Sequence, residues 1–84
     1  IFLLKCPSLI KTNNIVFQVF SPHAQEARVK IMDITGKILD MKSVSLQNGP
    51  NELNLTLKIR NSGVYFIFVE ARNISLSTKV VIVK

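Results

Sequence analysis

The sequence predicts an all-β domain, a β-sandwich of about seven strands. Apolar and polar residues alternate with period two in one run after another, whereas no helical periodicity persists for three turns. Turn-forming segments separate these runs roughly every 10–13 residues, which is typical of a sandwich of short strands. A chain of 84 residues corresponds to one domain, which we assign to residues 1–84.

The individual strands follow from the alternation. Pro7 ends the first strand, because proline has no N–H to donate to a neighbouring strand. In each of the next four strands a set of apolar residues shares one face, which we expect to face a core. The sets are Ile15, Phe17 and Val19 in a strand from Asn14 to Ser21; Val29 and Ile31; Leu39 and Met41; and Leu53, Leu55 and Leu57.

Four polar or glycine-containing segments separate the strands: Ser21–Gln25, Asp33–Gly36, Gln47–Pro50 and Arg60–Gly63. Gly36 and Gly49 can each supply the positive φ that a tight turn requires. Gly63 lets the chain bend before the strand that contains Tyr65. Local turn geometry is therefore a sufficient reason for all three glycines.

The last two strands, Gly63–Val69 and Lys79–Lys84, are predicted to form a hairpin through residues 71–73. Lysines bracket the last strand, and we expect this short charged strand to be accessible to another protein. The strand before it is apolar on both faces. It is therefore either a central strand covered on both faces or a strand whose Phe66 and Phe68 form a contact patch.

The net charge of +6 permits weak association with acidic partners such as nucleic acid, lipopolysaccharide or an acidic protein groove. The basic residues are scattered, however, which favours solvated surface charge, and we expect no nucleic-acid partner. The longest apolar runs are far shorter than the roughly 20 residues of a membrane-spanning helix, so we expect no transmembrane segment. Because the chain begins without Met, we expect it to be a piece of a longer protein.

Catalytic and cofactor chemistry has little support in the sequence. The single cysteine, Cys6, excludes an internal disulfide and any metal site built from several cysteines. A nucleophilic Cys6 would need a histidine partner, and nothing brings the only histidine, His23, to it. The carboxylates are dispersed, and three glycines leave no phosphate-binding loop. We therefore expect no enzymatic activity, no metal and no cofactor.

The motifs, in their order along the chain, resemble the C-terminal sorting domain of the Por, or type IX, secretion system of Gram-negative bacteria. The family pattern contains an Asp-x-x-Gly-Lys turn, a Gly-x-Asn turn, a strand that starts with Gly-Val-Tyr, and a last strand flanked by lysines. The matching segments are Ile31–Lys37, Gly49–Leu53, Ser62–Tyr65 and Lys79–Lys84. Family members often carry a Pro-Asn-Pro motif before the second strand, where this chain keeps only Pro7.

The resemblance implies an immunoglobulin-like sandwich of antiparallel strands that acts as a non-catalytic secretion signal. Such domains direct an N-terminal cargo through an outer-membrane translocon. A cell-surface sortase then commonly removes the domain and attaches the cargo to lipopolysaccharide. The implied location is the cell surface or the secreted fraction of a Gram-negative bacterium, reached through the periplasm.

The resemblance also indicates which residues a receptor would recognise. The expected signal residues are Gly36, Lys37, Gly63, Val64, Tyr65, Lys79, Val80, Val81, Ile82, Val83 and Lys84. A receptor could add its own strand beside the last strand, with affinity from backbone hydrogen bonds and specificity from alternate side chains.

Two alternatives stay open. The chain could be an accessory immunoglobulin-like module of a larger extracellular protein, serving as a spacer or binding carbohydrate. It could also be an adhesion module that forms a weak dimer through Phe66 and Phe68.

Overall fold

A computed structural model describes residues 2–56 and 61–83, and within these ranges every regular element is a β-strand. The eight strands are β1 (Leu3–Lys5), β2 (Leu9–Ile10), β3 (Asn14–Ser21), β4 (Gln25–Asp33), β5 (Ile38–Leu46), β6 (Gly49–Thr56), β7 (Gly63–Glu70) and β8 (Ser75–Ile82). They form two sheets, a three-stranded sheet in the order β1-β3-β6 and a five-stranded sheet in the order β2-β8-β7-β4-β5. The predicted immunoglobulin-like β-sandwich is confirmed.

Two details differ from the predicted seven antiparallel strands. The described ranges contain eight strands, and the short β2 pairs with β8 in parallel. Both differences come from the first ten residues. The chain leaves the small sheet after Lys5, passes Pro7 and joins the large sheet at Leu9. Pro7 interrupts the ladder as predicted, but the chain resumes as a strand of the other sheet.

The core lies between the two sheets and follows the alternation of each strand. The expected faces of β3 and β4 are confirmed, because Ile15, Phe17, Val19, Val29 and Ile31 are all buried. Most of the other large buried side chains come from the two closing strands and are Tyr65, Ile67, Val69, Val80 and Ile82; the rest are Ile10, Leu46 and Leu55. Leu53 is half-buried and Leu55 is buried, while Leu57 lies outside the described residues.

The prediction for β5 is wrong, because Leu39 and Met41 are 40% and 52% exposed. A register shift opposite Ile31 and Met32 places Leu39 at a bulge. Asp40 and Lys42 consequently lie on the inward side of this edge strand, opposite Ile31 and Val29. Only the far end of β5 reaches the core, through the half-buried Val44 and the buried Leu46.

The last strand begins earlier than predicted, at Ser75 rather than Lys79. Residues 75–78 have few apolar side chains, so alternation alone does not reveal them. They form a strand because each pairs with a residue at the end of β7, from Ile67 to Glu70.

Two tight turns contain the glycines with positive φ, with Gly36 at +89° and Gly49 at +102°. The second turn is tied together by the side chain of Asn51. Its Oδ1 accepts a hydrogen bond from the Gln47 backbone N–H at 2.8 Å, and its Nδ2 lies 3.0 Å from the carbonyl oxygens of Gln47 and Gly49. Nδ2 also reaches the Val19 carbonyl of β3 at 3.2 Å. The asparagine of the Gly-x-Asn segment therefore has a structural role.

Replacing Asn51 by alanine removes these hydrogen bonds, two of which lie in a partly buried environment. We expect Asn51→Ala to lower the free energy of unfolding by about 1–3 kcal/mol, measured by urea denaturation. The matched control is Asn54→Ala in the same strand, where the side chain is exposed; its expected effect is within about 0.5 kcal/mol. Equal effects of the two substitutions would contradict the role assigned to Asn51.

Candidate functional site

Most of the expected signal residues meet at one end of the five-stranded sheet. The register at this end pairs Asp33 with Tyr65, Tyr65 with Val80, Val64 with Val81, and Gly63 with Ile82. The end of β4, the start of β7 and the end of β8 are therefore adjacent. The turn that contains Gly36 and Lys37 follows β4 directly, so it lies at the same end.

The β4–β5 turn is organised by the carboxylate of Asp33. Its Oδ1 accepts hydrogen bonds from the Thr35 hydroxyl at 2.6 Å, the Thr35 N–H at 2.9 Å and the Lys37 N–H at 3.0 Å. The backbone closes the same turn, because the Gly36 N–H donates to the Asp33 carbonyl at 3.1 Å. The Asp-x-x-Gly-Lys segment thus specifies a turn in which one carboxylate satisfies several donors.

These donors favour the ionised carboxylate and lower the pKa of Asp33 below its ordinary value of 3.8. The largest cause is the hydrogen bond from the Thr35 side chain, and the two backbone N–H groups and the charge of Lys37 act in the same direction. Because the pKa is lowered by folding, the ionised carboxylate stabilises the fold above pH 3.8. This stabilisation is lost as the pH falls through the lowered pKa.

The start of β7 is fixed by Tyr65, whose ring is buried. Its hydroxyl donates to the backbone carbonyl of Asn61 at 2.8 Å, four residues upstream. A tyrosine that bonds back to the preceding loop in this way is a hallmark of immunoglobulin-like domains.

Gly63 differs from the two turn glycines, Gly36 and Gly49, because its φ is not positive. A Cβ added at position 63 would lie 3.8 Å from the Tyr65 ring, which is an ordinary van der Waals distance. The local backbone therefore does not require glycine at position 63.

The Gly-x-Asn segment lies away from this cluster. Gly49 pairs with Ser21 at the far end of β3, close to the start of β4. The four motifs of the sequence therefore separate in space, with three at one end of the large sheet and one at the opposite end of the sandwich.

The side chains of β8 alternate between the core and the outer face of the sheet. Val80 and Ile82 are buried in the core, whereas Val81 is half-buried on the outer face. Lys79 and Val83 are exposed, and Lys84 lies outside the described residues. Of the residues in β8 that were expected to form the signal, Lys79 and Val81 thus belong to the outer surface.

The expectation that the edge of the last strand is open is wrong, because β2 pairs with that edge. The Val81 N–H donates to the Ser8 carbonyl at 2.8 Å, and the Val83 N–H donates to the Ile10 carbonyl at 2.9 Å. β2 therefore occupies the edge of β8 at Val81 and Ile82. The reason is the sheet switch at Pro7, which returns the start of the chain to the end of β8.

The strand with two apolar faces is a central strand, since β7 lies between β8 and β4. One face is buried in the core through Tyr65, Ile67 and Val69. On the other face Phe66 and Phe68 are only half-buried. Their neighbours across the ladders are Lys79, Met32, Ser77 and Lys30. The strand is therefore covered on one face and contributes to a partly exposed apolar surface on the other.

The structure does not bring Cys6 and His23 together. Cys6 follows Lys5, which pairs with Gln18 near the middle of β3, whereas His23 lies beyond the end of β3. At about 3.3 Å per residue, the end of β3 lies roughly 10 Å from Gln18 along the strand, and His23 lies beyond that end. Burial raises the pKa of the Cys6 thiol, which disfavours the nucleophilic thiolate.

Within residues 2–56 and 61–83, no group of three or more His, Cys, Asp or Glu side chains is placed to hold a metal ion. These ranges also contain no helix long and apolar enough to cross a membrane.

Thr35→Val removes the largest contribution to the lowered pKa of Asp33 and leaves the two backbone donors in place. We expect the Asp33 pKa, measured by NMR titration of the side-chain carboxyl, to rise toward 3.8 in this variant. Thr12→Val is the matched control, because the Thr12 hydroxyl bonds to the Asn14 carbonyl instead. An Asp33 pKa that is the same in Thr35→Val and the unmodified chain would contradict the turn geometry.

The fold is similar to part of a much larger solved protein. The β-glucosidase from Listeria innocua in complex with isofagomine matches 98% of this chain with a TM-score of 0.61 and 18% identity. A mutant of that enzyme in complex with laminaribiose matches 100% of the chain with a TM-score of 0.58 and 16% identity. This chain spans 16% of the length of those enzymes, and at such identity the likeness concerns the fold alone. No protein with a curated function matches the chain significantly.

A family model gives a more specific result. The model described as the secretion system C-terminal sorting domain matches residues 11–84, which is most of the chain. The match includes the Asp33 turn, the Gly49 turn, the start of β7 and the whole of β8. The chain belongs to the family of C-terminal sorting domains of the Por, or type IX, secretion system.

Proposed function

We propose that this domain is a non-catalytic sorting signal that carries an attached N-terminal cargo across the outer membrane to the cell surface. Its partners are the outer-membrane translocon and the cell-surface sortase machinery. The observation that carries the proposal is the family match over residues 11–84.

The geometry gives a physical basis for recognition by such machinery. The ordered Asp33 turn, the start of β7 and the end of β8 come from separate parts of the chain and lie next to one another at one end of the large sheet. Lys37 and Lys79 are exposed there. A receptor that contacts this surface would distinguish the folded domain from an unfolded chain, because only the folded domain brings the three segments together.

The direct test is a transfer experiment. Residues 1–84 are fused to the C-terminus of a reporter that is exported to the periplasm of a bacterium with a type IX system. We expect the reporter at the cell surface in this strain and in the periplasm of an isogenic strain without the translocon, as measured by protease accessibility on intact cells. A reporter that stays in the periplasm of both strains would contradict the sorting function and favour an accessory module.

The second test concerns recognition at the outer surface. Lys79→Glu reverses an exposed charge among the signal residues, and we expect delivery of the reporter to fall about tenfold with stability changed by less than about 1 kcal/mol. Arg72→Glu is the control, an exposed charge reversal in the β7–β8 turn at the opposite end of the sheet. If the Lys79→Glu and Arg72→Glu fusions are delivered equally well, Lys79 is not part of the signal.

A further inference from the structure

We propose that β2 is a displaceable cover over the edge of β8, and that the partner of the sorting signal replaces it by adding an extended strand to β8. The inference rests on the proposed function and specifies how the domain is recognised. The site is the edge of β8 around Val81 and Val83, which β2 occupies within the same chain.

β2 pairs with β8 over far fewer residues than β7 does on the other side of β8. β2 contains only Leu9 and Ile10, and Leu9 is 51% exposed. In contrast, all eight residues of β8 pair with β7. β2 can therefore separate from β8 while β8 stays in the sheet.

The geometry also indicates what must replace β2. Its departure would leave the N–H groups of Val81 and Val83 without their carbonyl partners, and it would uncover the core where Ile10 is now 6% exposed. A replacement must therefore offer backbone carbonyls to these two N–H groups and an aliphatic side chain to cover the core. The fitting partner is thus an extended polypeptide strand with an aliphatic residue at the position of Ile10 and a solvent-tolerant residue at the position of Leu9.

The opposite edge of the same sheet is less suited to strand addition. β5 contains the bulge at Leu39, and Asp40 and Lys42 point toward the inward side of the sheet. Bulges and inward-pointing charges are devices that discourage pairing at an exposed edge. The edge of β8 lacks charged residues on its inward side, where Val80 and Ile82 are buried.

Amide hydrogen exchange of the complete chain, followed by NMR, tests whether β2 opens independently. The Val81 N–H points to β2, so the alternation of the ladder directs the Ile82 N–H toward β7. Opening of β2 alone releases Val81 and keeps Ile82 protected, and we expect Val81 to exchange at least about a hundredfold faster than Ile82. Fraying from the C-terminus would expose Ile82 before Val81. Equal rates, or faster exchange of Ile82, would overturn the proposal.

A disulfide lock tests whether opening is needed for delivery. Leu9 and Val81 are neighbours across the β2–β8 ladder, so Leu9→Cys with Val81→Cys can fix β2 in place, in a Cys6→Ser background. We expect the locked reporter fusion to be delivered about tenfold less than the variant with Val81→Cys alone. The control lock, Gln18→Cys with Glu52→Cys, joins two exposed neighbours of β3 and β6 and should not reduce delivery.

The outcomes separate the two proposals. If the lock at β2 and the control lock are delivered equally well, the sorting function stands and the displacement of β2 is wrong. If the unmodified fusion itself is not delivered, the sorting function fails. Should the Leu9–Val81 disulfide not form, the exchange rates of Val81 and Ile82 still decide whether β2 opens.

Discussion

The pairing of β7 with both β4 and β8 is the interaction on which the rest of the structure depends. β7 contributes Tyr65, Ile67 and Val69 to the core, and burial of each large apolar side chain stabilises the fold by about 1.5–3 kcal/mol. The same strand sets the register of its two neighbours, so the Asp33 turn and the end of β8 meet beside its first residues. The hydroxyl of Tyr65 fixes this start through its bond to Asn61. β7 therefore determines both the packing of the core and the position of the candidate recognition surface.

The two edges of the large sheet are protected from further strand pairing in different ways. The β5 edge carries its protection in its own residues, through the bulge at Leu39 and the charges of Asp40 and Lys42. The β8 edge is protected by another segment, the two-residue β2. A bulge and charges within a strand stay with that strand, whereas a separate two-residue segment can be displaced by a partner. This difference is the physical reason for placing the partner at β8.

Much of the fold could be predicted from local pattern. Strict alternation predicted the bounds of β3 from Asn14 to Ser21, and the conformational freedom of glycine predicted the positive φ of Gly36 and Gly49. The pattern failed where tertiary pairing decided the outcome. Leu39 and Met41 look like a core face, but the bulge and the edge position of β5 turn them outward. β2 is too short to leave a periodic signal, so the cover over β8 appears only in three dimensions.

The sequence motifs named the residues of the candidate site, but they did not indicate how these residues are arranged. The motifs identified the Asp33 turn, the start of β7 and β8, but only the pairing register places these three together and Gly49 at the far end. Asn51 illustrates the limit, since its four short contacts around the Gly49 turn require knowledge of both β3 and β6. A motif can therefore mark a residue without indicating whether it binds a partner or holds a turn.

The arrangement of the candidate surface depends most directly on the register between β7 and β8, which NOE spectroscopy of the complete chain measures. Because the Val81 N–H points to β2, Val64 and Val81 form a non-hydrogen-bonded pair with Cα atoms about 4.5 Å apart. We therefore expect a strong NOE between the Hα atoms of Val64 and Val81. An Hα contact of Val64 with Val80 or Ile82 instead would mean a slip by one residue, which would turn the buried side chains of β8 outward and contradict the proposed surface.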